Sequence, residues 1–65
     1  MGIGKKIKQL RVSRGLTQDI MARIMRIPRT GLVQIENEKQ KVYAQQIKYL
    51  CLAFMLSADD FIAED

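Results

Sequence analysis

Histidine is absent from this 65-residue chain, cysteine and proline occur once each, and residues 49 to 65 contain no base. Each shortage narrows what the chain can be. With Cys51 as its one thiol, it has no internal disulfide and no Cys/His set for a structural zinc. General-base chemistry loses its commonest residue, and a Cys on an apolar helix stripe with no base beside it is not an activated thiolate. The expectation is therefore no enzyme, no cofactor and no metal. No apolar run approaches the roughly 20 residues of a membrane span. Met1 to Lys6 carry no apolar signal region, and Lys6 stands where a myristoylation signal starting at Gly2 would need Ser or Thr. A soluble protein of a reducing cytoplasm is expected, with no membrane partner. A chain this short buries only about 60% of the surface it exposes when unfolded. With no staple available, helices packed on helices or a partner subunit must supply its stability.

What is present is unevenly placed charge. The net charge is +4. Residues 1 to 48 hold all eleven bases and three acids, a balance of +8, while residues 49 to 65 hold four acids, a balance of −4. One part of the surface should attract a polyanion and the other end should not.

Period and punctuation mark five segments. Ile3, Ile7 and Leu10 recur at helical spacing with Lys5, Lys6, Lys8 and Arg14 elsewhere on the cylinder, and Gly15 supplies the stop. Thr17 is a good N-cap for a second helix, Asp19 favours its positive end, and Met21, Ala22 and Met25 form its inward stripe. That helix ends near Arg26, because Pro28 pushes Ile27 out of helical geometry. A third runs from about Arg29 to Asn37, and the polar, basic stretch Asn37 to Tyr43 reads as a loop. The fourth spans about Ala44 to Met55, with Ala44, Ile47, Leu50, Cys51 and Phe54 on its core face. Ser57-Ala58-Asp59-Asp60 resembles a capping box opening a short fifth helix, whose Phe61 and Ile62 would fold back onto the core. No segment alternates like a strand, so residues 1 to 65 read as a single all-α domain.

Two charges sit on apolar faces. Arg11 follows Ile7 by four residues, and Glu36 follows Leu32 by four, next to Ile35. Burying either alone is expensive, whereas pairing relieves most of the cost. An Arg11 to Glu36 salt bridge tying the first helix to the third is predicted.

The run Arg14-Gly15-Leu16-Thr17-Gln18, then Ala22, then Ile35-Glu36-Asn37 and Lys39 resembles the phage repressor and Cro-like (Xre-type) helix-turn-helix family. The register extends without a gap from about Ile3 to Ile62. The resemblance implies a five-helix, lambda-repressor-like DNA-binding domain, bacterial or phage-encoded, with helix 2 across the DNA backbone and helix 3 in the major groove. It also implies that Gln18 meets a phosphate, and a helix N-terminus makes that physically reasonable.

The residues themselves suit such a role. At 100° per residue, Leu32, Ile35 and Glu36 occupy one side of the third helix, and Arg29, Thr30, Val33, Gln34 and Asn37 the other. Arg29 can bind guanine through O6 and N7, Gln34 can pair with adenine, and Thr30 or Val33 can touch a thymine methyl. Asn37, Lys39, Lys41 and Tyr43 follow this helix and can reach the flanking phosphates. Against the family pattern, Arg26, Glu38 and Met55 each stand where a Gly is common. A non-Gly residue in a left-handed conformation costs about 1–2 kcal/mol, and Glu38 also puts a negative charge beside the expected phosphate path. Gly31 inside the third helix weakens it by roughly 0.5–1 kcal/mol, or lets its backbone approach DNA closely.

Apolar residues are left over. Tyr49 and Leu52, with Met55 close by, lie off the core face of the fourth helix and are expected to form a twofold homodimer interface. Ile20 and Ile24 on the second helix are a similar surplus and suit another protein partner. The function expected is a sequence-specific, double-stranded DNA-binding regulator of repressor or controller type, dimeric on a near-palindromic operator. The alternative is a protein-interaction module on the same fold, such as an antitoxin subunit.

Overall fold

The computed structural model describes residues 2–56. Four helices follow one another, α1 (Ile3–Ser13), α2 (Gln18–Met25), α3 (Arg29–Glu36) and α4 (Ala44–Phe54). No strand occurs among the described residues. The fifth helix expected from Ser57, with Phe61 and Ile62, lies outside them.

Local chemistry sets the helix starts. The Thr17 side chain accepts the Ile20 N–H at 3.2 Å, satisfying one of the donors that a helix start leaves open. Pro28, at φ −65° and extended, immediately precedes α3, and Ile27 between α2 and α3 lies outside both helices. α4 opens behind Tyr43, whose backbone N–H donates to the Gln46 side chain at 2.9 Å.

The helix ends share one device. At Gly15 the backbone is left-handed, with φ +67°; Leu16 N–H donates to Arg11 C=O and Gly15 N–H to Val12 C=O, both at 3.0 Å. This 6→1 and 5→2 pair is a Schellman motif, which occupies carbonyls the helix leaves open. It recurs after α2, where Ile27 and Arg26 donate to Ala22 and Arg23, and after α3, where Lys39 and Glu38 donate to Gln34 and Ile35. The 6→1 bond recurs after α4, from Leu56 to Cys51. The left-handed residues there are Arg26, Glu38 and Met55, at φ 60°, 63° and 56°. These are the three positions at which the sequence departs from glycine.

α2 packs against α3 and α4, and α1 packs against α3. Between them lie Ile7, Met21, Met25, Leu32, Ile35 and Leu50, all fully buried, together with Ala22. Each such large side chain contributes about 1.5–3 kcal/mol of burial. Ile47, Cys51 and Phe54 pack against this core from α4, as expected, but Ala44 is exposed. It occupies the first turn of α4, before the helix reaches the core. Ile24, read from sequence as surplus, also packs against the core, while Ile20 stays exposed.

α1 crosses α3 at Gly4. A Cβ there would collide with the Ile35 carbonyl oxygen, so only glycine permits this approach.

Candidate nucleic-acid interface

α2, the turn through Arg26, Ile27 and Pro28, and α3 form a unit whose inner faces are buried. On α3, Leu32, Ile35 and Glu36 point inward. Arg29, Thr30 and Gln34 are exposed, as is Asn37 just past the helix, so these four make the outward stripe. Val33, expected on that stripe, is only half-exposed, because it sits toward the flank. Gly31 occupies the opposite flank, and a Cβ on it would meet only Gln40 and Pro28 atoms at 3.8 Å, ordinary contact.

Glu36 anchors α3. Arg11 Nε donates to its Oε2 at 2.8 Å and Arg11 Nη2 to its Oε1 at 3.3 Å. The two side chains are 14% and 2% exposed. Arg11 Nη1 donates in addition to the Leu16 carbonyl at 3.0 Å. Gln18 Nε2 donates to Glu36 Oε1 at 3.2 Å. One carboxylate thus joins α1, the start of α2 and α3, and among the described residues no buried side-chain polar atom lacks a partner. Charge-assisted, forked bonds of this kind are directional as well as strong. Gln18, expected at a phosphate, has its side-chain amide bonded inward; in the first turn of α2 the Ile20 and Met21 N–H groups are taken by Thr17, which leaves the backbone N–H groups of Gln18 and Asp19 as its open donors.

The surface charges have partners that the sequence did not reveal. Arg29 Nε lies 3.9 Å from Asp19 Oδ1, with side chains 62% and 63% exposed. So long and wet a pair contributes little, and Arg29 is available to a ligand. Glu38 turns away from the outward face: its carboxylate accepts the Lys5 backbone N–H at 2.8 Å, at the start of α1. α1 has no acid in its own first turn, so Glu38 supplies the negative charge that a helix N-terminus favours. A Cβ on Gly2 would collide with that carboxylate. The sequence signal for this contact was the Gly-Ile-Gly opening of the chain. Asn37, Lys39, Lys41 and Tyr43 are all exposed along the loop after α3. The exposed polar residues therefore sit together along α3, with the α2 N-terminus on one flank and this basic loop following on.

Tyr49, Leu52 and Met55 belong to α4 and its end. Tyr49 is half-buried, with the Arg26 guanidinium 4.4 Å above its ring centroid, whereas Leu52 and Met55 are 69% and 92% exposed. Among the described residues no helix is long and apolar enough to cross a membrane.

A short helix with a buried inner face, a tight turn and a second helix with a polar outer face define a helix-turn-helix, a DNA-binding class of protein. The family model described as a helix-turn-helix domain matches residues 4–64, and the chain belongs to that family. It is also similar to the antitoxin PezA of Streptococcus pneumoniae serotype 4, at 41% identity over 63 residues. That match covers 97% of this chain and 40% of the relative, so the chain spans about two-fifths of that protein's length. No solved structure is significantly similar to it.

Proposed function

We propose that this chain is a single domain that recognises specific double-stranded DNA sequences as a transcriptional regulator of repressor or controller type, working in the cytoplasm of a bacterium. The observation that carries the reading is the division of α3: its inner face is locked by Leu32, Ile35 and the bonded Glu36, while Arg29, Thr30 and Gln34 stand exposed in one stripe. A rigid helix with an adaptable polar edge is what major-groove recognition requires. Arg29, Thr30, Val33 and Gln34 contact bases, Val33 from the flank. Asn37, Lys39, Lys41 and Tyr43, with the start of α2 at Gln18, hold the phosphates on either side.

The regulator acts as a dimer through Tyr49, Leu52 and Met55. The exposure of Leu52 and Met55 supports this, since a small core gains stability from a second subunit. Two recognition helices would then lie roughly 34 Å apart, one DNA turn, on a near-palindromic site. Selection of bound sites from random DNA at a stated salt concentration tests the whole reading. A consensus of two half-sites is expected, lost on Arg29→Ala with Gln34→Ala; absence of any enriched sequence overturns it.

The likeness to an antitoxin favours one second reading, in which the domain serves as part of an antitoxin that binds a toxin protein. In that case Arg29→Ala with Gln34→Ala leaves the protein partner bound.

A further inference from the structure

Gln18, Gln45 and Gln46 each have their side-chain amide bonded within the molecule. Gln40, in the loop after α3, is exposed, and its amide has no hydrogen-bond partner among the described residues. Its neighbours set its place. The left-handed Glu38 reverses the chain and is tied to the Lys5 N–H, and the Lys39 N–H donates to the Gln34 carbonyl at 2.8 Å. From this anchored reversal the Gln40 side chain runs back along α3. Its Nε2 lies 3.8 Å from the point where a Cβ of Gly31 would sit, and Pro28 Cδ lies 3.8 Å from the same point. The amide thus reaches past Gln34 to the first turn of α3, on a flank where residue 31 has no side chain of its own.

In a helix-turn-helix the N-terminal part of the second helix is the part that meets base edges. Gly31 stands about 60° round α3 from Gln34, beside the exposed stripe. It precedes Gln34 by about 4.5 Å along the helix axis, more than the roughly 3.4 Å between successive base pairs, so the two amides address different pairs. An amide presents a donor and an acceptor side by side, the pattern that matches N6 and N7 of adenine in the major groove. Being neutral, it gains less from a phosphate than Lys39 or Lys41, which flank it in the sequence.

We propose that Gln40 is a further base-reading residue: its amide, brought from the loop into the space that Gly31 leaves, pairs with a base, adenine by its chemistry, beside the one that Gln34 reads. The inference rests on the DNA-binding reading above and adds to it a specificity-determining side chain from outside α3.

Selection of bound sites by the full chain, followed by binding to every single-base variant of the selected site, tests it, with circular dichroism confirming that each protein variant is folded. Gln40→Ala should reduce the preference at one base pair of the half-site about tenfold or more. That pair should differ from the one relaxed by Gln34→Ala, and the salt slope should not change. A loss of affinity that is uniform across sequences, with a shallower salt slope, makes Gln40 a phosphate contact and overturns the inference; so does a Gln40→Ala chain whose affinity and preferences are unaltered. Either result leaves the DNA-binding reading intact. An unmodified chain that enriches no sequence overturns both.

Discussion

Glu38 and Lys5 are 33 positions apart, yet the carboxylate of the first accepts the backbone N–H of the second at 2.8 Å. The contact ties the end of α3 to the start of α1, and it is made from a residue whose own backbone is left-handed.

Two opposing terms therefore meet at Glu38 and can be separated. Glu38→Ala keeps the backbone strain and removes the carboxylate from the helix start, a loss of about 0.3–1 kcal/mol. Glu38→Gly loses the same contact but relieves about 1–2 kcal/mol. Urea unfolding should rank the glycine variant as the more stable of the two by that second amount.

The carboxylate shared by Arg11 and Gln18 makes a graded prediction. Arg11→Ala or Glu36→Ala should cost roughly 3–5 kcal/mol, because each strands a partner in the interior. Gln18→Ala should cost less, about 1.5–3 kcal/mol for one bond to a charged acceptor. A double-mutant cycle between Arg11 and Glu36 should show strong coupling; additive losses would mean the pair acts as two independent surface charges.

The same substitution has opposite signs at two glycines. Gly4→Ala drives a methyl into the Ile35 carbonyl and should destabilise by about 1–3 kcal/mol. Gly31→Ala meets only ordinary contacts and should stabilise by about 0.5–1 kcal/mol. Thermal unfolding measures both. If operator affinity falls in the Gly31→Ala chain while stability rises, DNA lies against that Cα.

Salt reports on the phosphates. A dimer that neutralises about 6–10 of them should lose roughly 10³–10⁵-fold in operator affinity between about 50 and 200 mM salt. Neutralising Lys39 or Lys41 should make the slope shallower without changing the preferred sequence; a flat response in the unmodified protein counts against DNA as the ligand.

Much of the architecture was legible because its causes are local. Gly15, Thr17 and Pro28 act within a turn of where they stand, and the helices begin and end beside them. Helical period alone puts Arg11 and Glu36 on buried stripes, and the two meet there. Period gives a direction, however, and not what fills the space in that direction. Ala44 points along the core stripe of α4 yet has no core beside it, and Ile24 looks like surplus although the core reaches it. The fold of Glu38 onto α1 and the stack of Arg26 on Tyr49 depend on elements brought together only in three dimensions. For that reason the sequence alone reads Glu38 as a charge beside an expected phosphate path, whereas its carboxylate accepts the N–H at the start of α1.

Three of the four helix ends place a side chain where glycine would be at ease, and at Met55, 92% exposed, the described residues offer nothing in return. In a cell this bears on lifetime. A small domain is degraded through the fraction of molecules that are open, and about 1–2 kcal/mol is enough to change abundance several-fold. Met55→Gly should lengthen the half-life of the free chain by removing strain of that size. The helix ends thus tie the turnover of this protein to its backbone as well as to its core.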